Sequence, residues 1–458
     1  MSRQEPKRLP LVIGPENRSS STSKDSRLVN GYLEKNGEEL WVVKRPGLLS
    51  YSSVTAANGY GLFYWNDSVY SIWGGTLYKD GVAITGTVDQ TGGVYTFDKS
   101  RGGTPKLYFQ NGKKGYTYDT TNGLVNITNA NYPAALQKGS AYLDGTLYVV
   151  DANANIWGSN INDPQTWTAL NVIVAQIEPD PAVALAKQLV YVCCFKEFSV
   201  EMFYDAGNAT GSPLAPVQGA KVSVGCYDQE TVREVAGVLF WVSKTEKGGI
   251  GVMMMESVKA RSIETPAITK ILQSADFTTV YAWTAKFESH TFYVLTFKVS
   301  NITIAYDVST GMWNQWTDSS GNYLPIVASA VTTNGQTLVQ HESNGKVYEL
   351  SPSQYNDDGS VIVLDLYTPN FDGNTSLRKY LAMMNFIGDQ VTGSSLAVRC
   401  SDDDYQTWSG FRYVDLGERL PSLSDCGTFY KRAYHFRHET NTEFRLHAVD
   451  MKLEIGAI

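Results

Sequence analysis

Short runs of aromatic and β-branched residues alternate with Gly, Asn and Asp turns from about residue 58 to residue 350. The first run of each pair reads LFYW (62–65), LYF (107–109), LYVV (147–150), LVYV (189–192), VLFW (238–241), FYVLTF (292–297) and TLVQ (337–340). Partner runs such as TLYKDG (76–81), GYTYD (115–119), FSVEMFY (198–204) and ITIAYD (302–307) follow within one turn. Anchored on Leu62, Leu107, Leu147, Leu189, Val238, Phe292 and Leu338, the spacings are 45, 40, 42, 49, 54 and 46 residues. Repeats of that length with several strands each mark the blades of a β-propeller. A small sheet cannot bury both faces alone, so it needs neighbours arranged radially. Asp80-Gly81, Asn111-Gly112, Asp144-Gly145, Asn334-Gly335, Asn344-Gly345 and Asp358-Gly359 supply the positive φ of tight hairpin turns. Helical periodicity is scarce, and PAVALAKQLV (181–190) is the main ambiguous stretch. The pattern predicts an all-β chain with six or seven blades over residues 51–360.

The texture changes from about residue 361. VIVLDLYTP, SLAVRC, TWSGFRYVDL, RAYHFRH and EFRLHAVDMKLEI read as longer strands with interspersed arginines. In the last, Phe444, Leu446 and Ala448 share one face and Met451, Leu453 and Ile455 the next, which predicts a β-bulge at Val449–Asp450. Residues 361–458 are therefore expected to form a separate, sandwich-like β domain. Residues 1–50, rich in Ser, Pro and charge, are expected to form an extended arm ending in a first strand.

Composition and charge narrow the function. Charged residues are 18% of the 458 against a usual ~25%, and aromatics reach 12%, so the core is large and the surface charge-poor. The net charge of -8 divides into +3 over residues 1–45, -11 over 46–410 and zero over 411–458. An acidic body repels phosphates, which argues against tight DNA binding. No apolar run approaches a membrane span, and the N-terminus lacks a signal-peptide h-region; synthesis in a cytoplasm and no membrane insertion are expected. The five cysteines form no CxxC pair, and Cys193 and Cys194 read as core residues rather than nucleophiles.

No motif demands catalysis, a metal or a cofactor. SDDDYQTW (401–408) matches the S-x-D-x-G-x-T-W Asp-box of sialidase-like propellers, with Tyr405 in place of Gly. That motif is a self-bonded hairpin turn. A glycan-binding or glycan-cleaving propeller is the alternative function, but only Arg101, Arg233 and Arg261 offer guanidinium groups between residues 46 and 377. His435 and His438 stand three apart on a strand, hence on opposite faces, which suits no shared metal. The tryptophans of IWGSNINDPQTW and YDVSTGMWNQW are expected to wedge between blades.

The stretch SKDSRLVNGYLEKNGEELWVVKRPGL (23–48) carries R-L-V-N-G-Y-x-E followed by V-V-K-R-P-G-L. It resembles the start of the packaged-DNA-stabilising, or tail-nozzle, proteins of short-tailed bacteriophages, matching at Arg27, Leu28, Asn30, Tyr32, Glu34, Val43, Lys44, Arg45, Pro46 and Gly47. SDDDYQTWSGFRYVDLGE (401–418) is similar to a segment late in such proteins, departing from it at Asp404 and Tyr405. The resemblance implies a virion structural protein built around a β-propeller. It implies a six-fold ring below the portal and adaptor rings, closing or extending the DNA channel, retaining the genome and carrying tail fibres or spikes and a needle or tip. Double-stranded DNA would pass without sequence-specific binding. Arg27, Asn30, Lys44 and Arg45 are then candidates for docking to the upstream ring, although residues 45–47 could simply turn the chain into its first strand. Segments 205–222 and 308–325, read as long loops, are candidate contacts to neighbours or fibres.

Overall fold

Asn66 and Asp67 take left-handed φ of 47° and 55°, which folds Gly59–Trp65 back onto Ser68–Trp73 as a tight antiparallel hairpin. Thr76–Lys79 and Val82–Ala83 extend this pair into a four-stranded meander, the first blade of a propeller. The computed structural model describes residues 7–11, 26–37 and 39–456, and the same meander recurs six more times along it. Blade 2 runs from Thr96–Lys99 to Gly123–Asn126, blade 3 from Ala141–Leu143 to Asp163–Val174 and blade 4 from Ala182–Gln188 to Leu214–Val222. Blade 5 runs from Gly225–Cys226 to Lys259–Ser262 and blade 6 from Val280–Phe287 to Met312–Trp316. Blade 7 takes Ile326–Val331, Thr337–His341 and Lys346–Ser351, with Gly47–Ser53 as its outer strand.

The count of seven, within the expected six or seven, is fixed by packing. Seven separate hydrophobic clusters each join one blade to the next, and the last joins Val327, Leu338 and Val347 of blade 7 to Leu62, Val69 and Trp73 of blade 1. Alternate side chains of a blade strand therefore face different neighbours. Cys194 packs toward blade 3 and Cys193 toward blade 5, so strands buried on both faces read as unbroken apolar runs. The tryptophans do wedge: Trp167 lies between blades 2 and 3, and Trp283 and Trp316 between blades 6 and 7. The 181–190 stretch is a strand, whereas Pro266–Ser274, capped by Thr265, is a helix between blades 5 and 6 that periodicity did not reveal. Five of the seven sequence anchors sit on the second strand of their blade and Leu189 in the turn just before it, but Leu62 lies on a first strand, which stretches the first spacing.

The expected boundary at residue 50 does not hold. Gly31–Asn36 and Glu39–Lys44 join Arg445–Ile455, Lys379–Gly388 and Ser422–Ser424 in one sheet. Arg27–Val29 joins Leu364–Tyr367, Ala433–His438, Ser395–Ser401 and Arg412–Asp415 in another. The two sheets share a core including Leu28, Leu33, Val42, Leu366 and Met451, with Phe386 and Phe436 meeting edge to face at 5.8 Å. Residues 27–44 thus belong to the C-terminal domain and residues 47–53 to the propeller, because each domain has one apolar sheet edge or face left open without them. The rest of the expected arm, 1–6 and 12–25, lies outside the described residues. Segments 205–222 and 308–325 each combine turns with an outer strand, Leu214–Val222 and Met312–Trp316 respectively. The parity slip occurs two residues before the expected place: Ile387 pairs Ala448 and Gly388 pairs Leu446, leaving His447 bulged.

Candidate functional site

The four residues singled out for docking converge on the seam between the propeller and the C-terminal domain. Val29 pairs in parallel with Gln315 of blade 6, so Asn30 follows at the point where the two domains share a sheet. Asn30 is fully buried with φ 54°, a left-handed conformation that asparagine tolerates better than most residues. Its Nδ2 donates to Thr317 Oγ1 at 2.7 Å and to the Val363 carbonyl at 2.9 Å. Its Oδ1 accepts from Arg45 Nε at 2.9 Å and from the Thr317 amide at 2.8 Å.

Arg45 is equally buried and every guanidinium direction is used. Besides Asn30, it donates to the Pro46 and Thr317 carbonyls, each at 3.0 Å, and forms a two-pronged pair with Asp357 at 3.0 and 2.6 Å. A buried charge persists only when paired and hydrogen-bonded throughout, and this network achieves that. Gly47 follows immediately: a Cβ there would stand 2.2 Å from the Asn356 carbonyl oxygen, so the chain can enter blade 7 only as glycine.

Lys44 is buried beside Arg45 and burial, then Arg45, pulls its ammonium down to about 7. Its Nζ donates to the Thr440 carbonyl at 2.8 Å and stands 3.5 Å from His438 Nδ1. Burial, then Lys44, pulls the His438 imidazole down to about 3, so Nδ1 accepts and Nε2 donates to Ser394 Oγ or Thr440 Oγ1. Arg27 lies with its guanidinium carbon 4.1 Å from the centre of the Tyr367 ring, which in turn stacks on His435 at 3.9 Å. Asn30, Lys44 and Arg45 are therefore spent inside the chain, and the expectation that they present a free docking patch is corrected. Burying a lone lysine or arginine would be costly, and their internal partners are what makes the burial affordable.

A second polar cluster, missed at the sequence level, fills the hole of the propeller. Residues from all seven blades line a cavity of about 410 Å³, among them Asp98, Lys138, Lys187 and Arg233. The turn Gln229–Thr231 crosses one end: Gln229 Oε1 accepts from the Lys138 amide at 3.2 Å and Glu230 pairs with the Lys138 ammonium. Burial, then Arg233, pulls Lys138 down to about 7, while burial pushes Asp98 and Asp228 up to about 6. Such a hole cannot admit a duplex whose major groove alone is about 12 Å wide.

The remaining sequence candidates separate. Arg233 is on an inner strand, Arg261 on the outer strand of blade 5, and Arg101 in an exposed turn, so they form no common clamp. His435 bonds Arg399 and Asp365 on one face of its strand, and His438 faces the other. The 401–408 segment is a self-bonded turn: Asp403 accepts from the Thr407 hydroxyl and from the Gln406 and Thr407 amides, which hold its carboxyl down at about 2. Tyr405 takes φ 66° at the usual glycine position, held by burial of its ring and a 2.8 Å bond to the Thr368 carbonyl. No group of three or more His, Cys, Asp or Glu able to hold a metal occurs among the described residues. Nor is any helix among them long and apolar enough to cross a membrane.

Among solved structures, a streptogramin B lyase is 11% identical with a TM-score of 0.40, covering 70% of this chain and 98% of its own. The virginiamycin B lyase of Staphylococcus aureus is 9% identical with a TM-score of 0.43, covering 68% and 98%. A chain of the mitotic checkpoint complex is 12% identical with a TM-score of 0.44, covering 69% and 94%. At such identities and TM-scores, the chemistry of these proteins says nothing about this chain. No protein of curated function matches it. The phage-stabilisation family model described as "Bacteriophage P22 Gp10, beta-propeller" matches residues 8–355, three quarters of the chain and all seven blades, so the chain belongs to that family of bacteriophage virion structural proteins.

Proposed function

We propose that this chain is the tail nozzle of a short-tailed phage, a non-enzymatic ring of six copies. It docks beneath the portal and adaptor rings, retains the packaged genome, guides its ejection and carries fibres or spikes and the tip. The family match over residues 8–355 carries this reading. Two physical features support it. The hole of each propeller is a side-chain-lined cavity of about 410 Å³ with no room for a duplex, so the DNA path runs between copies around a shared axis. The -11 carried by residues 46–410 suits a wall along which phosphates slide without counterion-releasing contacts. Retention and guidance are then matters of shape and charge, and no covalent step is required.

The test is a symmetry-resolved image of virion tails, paired with particles lacking this chain. Six copies coaxial with the DNA channel, and heads that fill but then lose their genome to added nuclease, are expected. Stable full heads without the chain, or its location only at a fibre tip, would overturn the reading.

A further inference from the structure

The outer strands of the propeller form its rim, and they differ in kind. Those of blades 6 and 7 are covered: Arg27–Val29 pairs with Met312–Trp316, and Asn356–Asp357 with Gly47–Ser53. That of blade 5 is short and charged, with Glu256, Lys259, Arg261 and Glu264 in and around it. Charge on an edge strand is the usual protection against pairing with another chain.

Blades 1 to 3 lack that protection, and the outer strand of blade 4 carries one charge, Lys221 near its end, which is paired with Glu178. The rim segments of blades 1 to 4, residues 81–88, 120–137, 164–177 and 206–220, contain no charged residue. Each follows an aspartate, Asp80, Asp119, Asp163 or Asp205, that accepts backbone amide bonds in or beside its turn, so the local charge is folded back. Each is the last strand of its sheet. The longest, Asp163–Val174, breaks register between Trp157 and Ser159 of its partner strand and pushes Leu170 out to 79% exposure, with Val174 at 42%. Val82 on blade 1 is 70% exposed. Uncharged, β-branched edges of this kind are aggregation sites unless something covers them.

We infer that the rim of blades 1 to 4 is covered by a second copy of this chain, docked through its C-terminal domain. Charge selects the occupant. Two copies that each carry -8 repel wherever acids face acids, and they approach at least cost along a strip without charge. Position selects the face. In a ring of seven blades, blades 2 to 4 stand across from blades 6 and 7, where the C-terminal domain is attached. Two different faces on opposite sides of one subunit are what a closed head-to-tail ring needs. The C-terminal domain exposes Tyr413 at 70%, Leu420 at 56% and Tyr430 at 62%, the kind of large side chains that anchor interfaces. The outer strands of blades 3 and 4 bulge and pair along six partner residues each, Asn155–Asn160 and Val200–Asp205, an edge of about 20 Å apiece. Side by side they offer on the order of several hundred Å² per copy, the scale a stable interface takes from each partner.

This inference rests on the multimeric reading above, and the experiment separates the two. The full chain is compared with a Leu170→Arg/Val174→Arg variant and with a Lys259→Glu/Arg261→Glu control on the charged rim, by sedimentation up to millimolar concentration. All four positions of change are exposed, so unchanged melting temperatures establish that folding is intact. The expected result is at least a tenfold loss of multimer in the first variant and none in the control. In parallel, Leu170→Cys carrying a benzophenone should crosslink to residues 361–456 of a second copy, with the labelled parent chain as background. Multimers that form equally well with two arginines on the rim, or crosslinks that map elsewhere, overturn the inference and leave the nozzle reading standing. A parent chain that stays monomeric throughout also overturns it, while imaging of tails judges the nozzle reading separately.

Discussion

Asn30 shows how much one side chain can hold. Four side-chain bonds and a left-handed backbone meet in a group with no access to water. Asn30→Ala should cost roughly 3–5 kcal/mol, since buried partners left unpaired cost about 1–3 kcal/mol each. Asn30→Asp keeps the acceptor toward Arg45 and the Thr317 amide and should cost less, an ordering that urea denaturation would check. The sequence pattern marked these residues but not their role: an R-P-G turn in a +3 segment reads as an exposed arm, because burial of charge depends on partners some 300 residues away, such as Asp357. The neighbouring Lys44–His438 pair makes the seam sensitive to pH. His438 falls from 6.5 to about 3 on folding, so between those values the unfolded chain binds the extra proton and stability falls as pH falls. The slope should approach about 1.4 kcal/mol per pH unit between pH 6 and 4, fall to about half that near pH 3 and vanish below it. Lys44, lowered to about 7, acts in the same direction at higher pH, adding stability as pH rises from 7 toward 10.5. Melting curves of His438→Asn against the parent should differ in slope across pH 4–6.5 and run parallel above it.

At the scale of elements, the blades were legible because their chemistry is local. A hairpin turn announces itself in two residues, such as Asp144-Gly145 with φ of 45° and 90°, and the strands beside it are apolar on both faces. What was not legible is pairing between distant segments. Nothing in LLSYS says that Gly47–Ser53 pairs with Lys346–Ser351, or that Glu39–Lys44 pairs with Arg445–Ile455. Nor does TPAITKILQ carry enough turns to stand out as a helix before its face is seen against blades 5 and 6. The pairing yields a prediction. A chain beginning at residue 54 loses the outer strand of blade 7 and four strands of the C-terminal domain at once, Lys7–Arg8 among them. It should expose apolar surface, bind a hydrophobic dye and aggregate, and separate co-expression of residues 26–53 should restore a soluble, dye-silent complex. A truncated chain that folds unaided would show that the segment is dispensable.

For the molecule as a whole, the same segment decides how the two domains unfold. Chains of this size ordinarily unfold domain by domain, with separate transitions. Here the polypeptide enters the C-terminal domain, closes the propeller through Gly47–Ser53, circles seven blades and returns to the domain it began in. Blade 6 and the C-terminal domain share one continuous sheet through Val29 and Gln315. Arg45 bonds Asn30 on one side and Thr317 and Asp357 on the other, so neither domain can open without breaking a buried charge pair. Breaking such a pair costs about 3–5 kcal/mol, enough to couple two domains of ordinary marginal stability. The parent chain should therefore melt in one calorimetric transition whose calorimetric and van't Hoff enthalpies approach each other. Arg45→Met, which leaves the apolar volume but strands Asp357, should split that peak into two. Two peaks already present in the parent would mean that the shared strands do not couple the domains.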